Sequence, residues 1–110
     1  MLRLLVRFFT RQGYRVLQAV DGEQAVDIYR LQGTEIDVVL LDIRLPKKTG
    51  EQVFREMKVV NPAVKVVMAS GYLDPQIKAD MSLAGVKRFV DKPYILDDVM
   101  NVVEGMLAND

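Results

Sequence analysis

Residues 36–41 read Ile-Asp-Val-Val-Leu-Leu, an almost unbroken apolar run rich in branched side chains, and Asp42 closes it. A strand with so few polar positions has no side to turn to water. Such strands occur in parallel sheets covered by helices on both faces. The run therefore demands an α/β layer structure, with helices supplied by the rest of the chain.

The flanking segments supply them. Residues 1–12 read as a helix with Leu2, Leu5, Phe8 and Phe9 on one face, Arg3, Arg7 and Arg11 on the other, and Gly13 as its stop. Residues 14–19 alternate and read as a short strand. Asp21 then caps a second helix, with Gln24 at the reciprocal capping-box position. Ala25, Ile28 and Tyr29 give its buried face, with Leu31 at the margin, and Gly33 ends it. Thr49 and Gln52 repeat the capping pattern for a third helix, whose apolar face is Val53, Phe54, Met57 and Val60. Residues 64–69 and 86–90 read as further strands. Asp74-Pro75 opens a fourth helix, and residues 95–107 form a last one with Asp97 and Asp98 in its first turn. The alternation implies right-handed crossovers, and sites in such sheets lie at the carboxyl ends of the strands.

Composition narrows the chemistry. The 110 residues are enough for one domain. Lys plus Arg and Asp plus Glu are 15 each, so there is no basic excess of the kind nucleic-acid or anionic-membrane binders show. Without Cys or His, disulfides, thiol chemistry, Ser-His triads and Cys- or His-ligated metals are excluded. The apolar runs are far shorter than the roughly 20 residues of a membrane span, and no signal peptide is visible. The expected location is cytoplasmic.

Four polar residues break the pattern at predicted strand ends: Asp42, Ser70, Asp91 and Lys92. An acid, a hydroxyl and an amine converging on one sheet edge can handle a phosphoryl group. The carboxylate is a nucleophile, the hydroxyl a hydrogen-bond donor, and the ammonium a compact cation. Taken singly, Asp42 and Ser70 also suit turns, and Lys92 suits a solvated edge. Asp91 reads as a turn or solvent-facing residue.

The segment Asp42-Ile43-Arg44-Leu45-Pro46-Lys47-Lys48-Thr49-Gly50 resembles the phosphoacceptor motif of response-regulator receiver domains. Met68-Ala69-Ser70-Gly71-Tyr72 and Phe89-Val90-Asp91-Lys92-Pro93-Tyr94 resemble the family's next two strand ends, at suitable spacings of 28 residues from Asp42 to Ser70 and 22 from Ser70 to Lys92. The resemblance implies a flavodoxin-like, doubly wound parallel sheet of order 2-1-3-4-5. It implies that Asp42 accepts a phosphoryl group from a histidine kinase, and that Ser70 and Lys92 contact the acyl phosphate. It further implies that Phe89 is the switch aromatic, that a cis bond precedes Pro93, and that Asp42 and the Arg44 backbone carbonyl ligate Mg2+. A downstream partner protein would read the fourth helix, fifth strand and fifth helix.

Receiver domains open on an apolar strand ending in two acidic residues, whereas residues 1–12 read as the helix that follows. The expectation is thus a receiver domain over residues 1–110, truncated at its N-terminus, with the first strand missing and Mg2+ binding weak or absent. About five buried apolar side chains at roughly 1.5–3 kcal/mol each rival the whole stability of a domain. The gap would therefore be filled by another chain, as a dimer or by strand exchange, or closed by direct pairing of residues 14–19 with 36–41. The alternative function is a pseudo-receiver or truncated docking module that binds partners without phosphorylation. A haloacid-dehalogenase-type phosphatase, which needs a second acid two residues after the nucleophile, meets Arg44 there instead.

Overall fold

The computed structural model describes residues 2–44, 47–71, 75–91 and 95–108, with backbone alone at Leu2 and Asp91. The helices form where local chemistry starts and stops them. Helix α1 (Leu2–Arg11) ends at Gly13, whose φ of 93° is a conformation that a Cβ would strain. Helix α2 (Gly22–Gln32) is capped by Asp21, whose Oδ1 accepts the Gln24 N–H at 2.8 Å. The reciprocal bond is displaced by one residue: Gln24 Oε1 accepts from the Val20 N–H rather than from the cap itself. Helix α3 (Gly50–Val60) carries the complete capping box between Thr49 and Gln52. Helix α4 (Pro75–Ala84) has proline at its first position; Asp74 lies outside the described residues. Helix α5 (Leu96–Ala108) has Asp97 and Asp98 in its first turn.

Strands β1 (Val39–Asp42), β2 (Val66–Ser70) and β3 (Arg88–Asp91) form one parallel sheet in the order β1-β2-β3. Leu41 pairs with Met68, and Met68 with Phe89. The central strand, β2, is buried at all five positions. Alternation divides β1 between two cores. Val39, Leu41 and Ile43 pack with Val26 and Tyr29 of α2 and Val53, Phe54 and Met57 of α3. Val38 and Leu40 pack on the opposite side with Leu5 of α1 and Val99 and Val103 of α5. Helices flank both faces of β1, but of residues 36–41 only Leu41 is buried, and Ile36, Val38, Val39 and Leu40 are half-buried beside an open slot.

Three details differ from the sequence reading. Residues 14–19 form no strand, so the described sheet has three strands where the reading had four. A strand exists only against a hydrogen-bonded neighbour, and a slot separates this segment from β1. Direct pairing across the gap does not occur. Leu31 is 84% exposed, because it lies about 200° around the helix from the buried Tyr29. Val60, at the last position of α3, is 43% exposed where the helix has run past its core contacts.

Candidate functional site at the carboxyl edge of the sheet

The three strands finish nearly flush. Asp42 pairs with Ala69, Ala69 with Val90, and Ser70 with Asp91. Asp42 and Ser70 therefore end adjacent strands, which lie about 4.8 Å apart, offset by one residue. Asp42 is half-buried, and its Oδ1 accepts the Arg44 N–H at 2.9 Å, closing a small side-chain turn. The turn role and the edge position coexist, since the bond forms at the rim of the sheet.

The strand end is held from behind by α3. The Ile43 N–H donates to the Ala69 carbonyl, and the Ile43 carbonyl accepts from the Gly50 N–H, both at 2.9 Å. Gly50 allows this approach: a Cβ there would lie 2.7 Å from Ile43 Cα and 2.8 Å from the Asp42 carbonyl oxygen. The Thr49-Gly50 pair thus starts a helix and also seats it against the backbone that presents Asp42.

Ser70 is 5% exposed, the one polar side chain among the described residues that is buried. No buried side-chain oxygen or nitrogen among them lacks a hydrogen-bond partner, so burying this hydroxyl carries no orphan penalty. Phe89 is half-buried against the α2–α3 core, with Lys78 Nζ of α4 5.3 Å from its ring centroid. Lys92 and Pro93 lie outside the described residues; β3 delivers the chain to the same edge at Asp91.

Among the described residues no group of three or more Asp, Glu, His or Cys side chains is placed to hold a metal. Mg2+ wants six oxygens in near-octahedral array. Asp42 and the Arg44 carbonyl offer two such oxygens, and phosphoryl oxygens and water would have to complete the set.

One feature of the edge was not anticipated. Asp21 lines the same cavity as Asp42 and Arg44, and its Oδ2 stands 3.6 Å from Lys47 Nζ. The Gln24 N–H, assisted by Lys47, holds its carboxyl below the usual range. Capping chemistry was legible in the sequence; the loop that brings Lys47 across from beyond β1 was not. Nearby, Lys48 Nζ bonds both carboxylate oxygens of Glu56 at 2.7 and 2.8 Å, tying that loop to α3.

Comparison with known proteins agrees with this arrangement. The family model described as response regulator receiver domain matches residues 1–104. Sporulation initiation phosphotransferase F of Bacillus subtilis (strain 168) is 29% identical over 104 residues, covering 94% of this chain and 82% of that protein. Sensor kinase CckA of Brucella abortus (strain 2308) is 29% identical over 102 residues, but the chain spans only 11% of its length. Among solved structures, the CheX-CheY-BeF3-Mg2+ complex from Borrelia burgdorferi aligns with a TM-score of 0.88 and 30% identity, over 94% of this chain and 78% of that one. Among the described residues no helix is long and apolar enough to cross a membrane. A parallel sheet wound on both faces, a carboxylate at its carboxyl edge and a family match along nearly the whole chain lead to one conclusion: the chain belongs to the response regulator receiver domains, the flavodoxin-like signalling modules of two-component systems.

Proposed function

We propose that Asp42 is the phosphoacceptor. An oxygen of its carboxylate attacks the phosphorus of a phosphohistidine in a histidine kinase; the phosphorus–nitrogen bond breaks, and an acyl phosphate forms on Asp42. The single observation that carries this reading is the placement of Asp42 at the tip of β1 beside the buried Ser70 hydroxyl at the tip of β2. Phosphorylation takes the side chain from about −1 to between about −1.5 and −2 and adds strong acceptor oxygens. Ser70 donates to one of them and Lys92 neutralises another. Phe89 follows Ser70 inward, and the rearranged surface is read by a downstream protein. This is a two-state element biased by a local charge, in the way modification switches work generally.

The Borrelia relative is seen with CheX, BeF3 and Mg2+. By that similarity, Asp42 and the Arg44 carbonyl would hold Mg2+, weakly, because no cluster of three acids stands beside them among the described residues. When bound, the ion supplies charge neutralisation at the phosphoryl oxygens. The module acts in the cytoplasm and turns over no substrate beyond slow hydrolysis of its own acyl phosphate.

Incubation with acetyl phosphate and Mg2+, followed by intact mass, tests the reading. The expected result is a gain of one phosphate that is absent in Asp42→Asn. A phosphate gained equally by Asp42→Asn would refute the assignment. The sparse donor set favours a second reading, a docking module that is never phosphorylated. Unchanged mass in acetyl phosphate, together with retained partner binding by Asp42→Asn, would establish it.

A further inference from the structure

Among the described residues Lys47 is the one non-glycine with a left-handed backbone, at a φ of 70°. Glycine, and to a lesser degree asparagine, suit that region; a lysine Cβ crowds the following carbonyl. Such strain persists where the surroundings impose it. Here the next residue imposes it. Lys48 packs on the first residue of α2, where a Cβ added to Gly22 would lie 2.6 Å from Lys48 Cβ. Its ammonium is held by Glu56 of α3, and Glu56 stands 3.7 Å from Arg30 of α2. The loop is thereby fixed between two helices, and it presents Lys47 Nζ at 3.6 Å from Asp21 Oδ2 and 3.8 Å from Glu23 Oε2.

Stability does not account for this arrangement. The side chains of Lys47 and Glu23 are each 60% exposed, and ion pairs so open to water add little to folding. The field at the carboxyl edge accounts for it better. Asp21 lines one cavity with Asp42 and Arg44, so Asp21, Glu23 and Asp42 bring three negative charges to that end of the sheet. A phosphoryl donor is itself an anion. Repulsion between exposed like charges reaches about 8–10 Å at moderate salt, and a cation set among the carboxylates cancels part of it.

We propose that Lys47 sets phosphodonor preference: by neutralising Asp21 and Glu23 it opens Asp42 to dianionic donors and favours them over donors of lower charge. The inference rests on the reading of Asp42 as the phosphoacceptor. With acetyl phosphate, a dianion at neutral pH, an Asp42 carboxylate oxygen attacks phosphorus, the bond from phosphorus to the bridging oxygen breaks, and acetate leaves. With phosphoramidate, a monoanion whose nitrogen is protonated, the same attack breaks the phosphorus–nitrogen bond and ammonia leaves. Lys47 takes no part in either bond change. It acts on the approach of the donor, so it governs the rate at low donor concentration and not the maximal rate.

The test compares initial phosphorylation rates with the two donors, each well below saturation in Mg2+, by intact mass. Lys47→Asn keeps the left-handed turn and removes the charge, Lys47→Glu reverses the charge, and Lys47→Arg retains it. At low salt the acetyl phosphate rate should fall about threefold in Lys47→Asn and about tenfold in Lys47→Glu. The phosphoramidate rate should fall by only about the square root of those factors, because that donor carries half the charge. A change in Mg2+ affinity or in folding would move both donors together and leave their ratio alone. Lys47→Arg should keep the parent ratio, and at about 1 M salt all four ratios should converge. The Tm of Lys47→Asn should not fall. Phosphorylation of every variant with an unchanged donor ratio overturns the role of Lys47 and leaves Asp42 in place, as does a ratio that shifts equally at high salt. A parent chain phosphorylated by neither donor overturns the reading of Asp42 and this proposal with it.

Discussion

Replacing Gly50 by alanine probes the joint between the helix and the strand that presents the phosphoacceptor candidate. The new Cβ would sit 2.7 Å from Ile43 Cα, 2.8 Å from the Asp42 carbonyl oxygen and 3.1 Å from Met68 Sδ. The sulfur can swing aside; the two backbone atoms cannot. Carbon atoms rest comfortably about 3.5–4.0 Å apart, so α3 must back away from β1 by close to an ångström. Overpacking of this kind costs about 1–3 kcal/mol. Alanine recovers about 0.5–1 kcal/mol over glycine through chain entropy. With two unyielding backbone contacts the upper part of the overpacking range applies, and the net loss is about 1–2.5 kcal/mol, a fall in Tm of roughly 5–15 °C for a domain of this size. Gly105 in α5 is the matching control, with no heavy atom within 4 Å of its added Cβ. There the same substitution should stabilise by about 0.5–1 kcal/mol. Urea unfolding of both variants, with the slope m unchanged, measures the two differences. If Gly50→Ala is as stable as the parent chain, the close approach of α3 to β1 is not what holds the strand end, and the reasoning fails.

Phe54, 2% exposed between α3 and the sheet, should cost about 3–5 kcal/mol as Phe54→Ala, a large part of a total of about 5–15, and calorimetry would show a broadened or missing transition. Asp21 stabilises through its charged form. Its folded carboxyl titrates below the usual value, so the contribution is complete above the ordinary carboxylate range, about pH 4, and is lost as acid carries the pH through the lowered value. The stability gap between the chain and Asp21→Ala should therefore be full at neutral pH and close in strong acid; a gap that widens as pH falls would contradict the assignment.

The candidate site was legible where chemistry is local. Asp42 and Ser70 stand out because a polar residue ending an apolar strand has few reasons to be there, and strand ends in a parallel sheet share one edge. The N-cap of α2 and the capping box of α3 were equally readable, since a cap needs only residues three apart. What depends on distant neighbours was not. Tyr14–Ala19 has the alternation of a strand, but alternation describes side chains, while a strand is made by the backbone of another segment. Leu31 and Val60 are apolar yet exposed, because burial depends on where a helix stops against its partners.

Sequence by itself determined the layered α/β architecture, because a run apolar on every side can be satisfied only between two helical layers. It also determined which residues end the strands. The tertiary structure decided the rest: that Asp21, paired with Lys47, lines one cavity with Asp42, that Gly50 seats α3 against the strand tip, and that a slot stays open beside β1. Those features depend on distances between segments far apart in the chain, and pairing, packing and gaps come into being only when such segments meet.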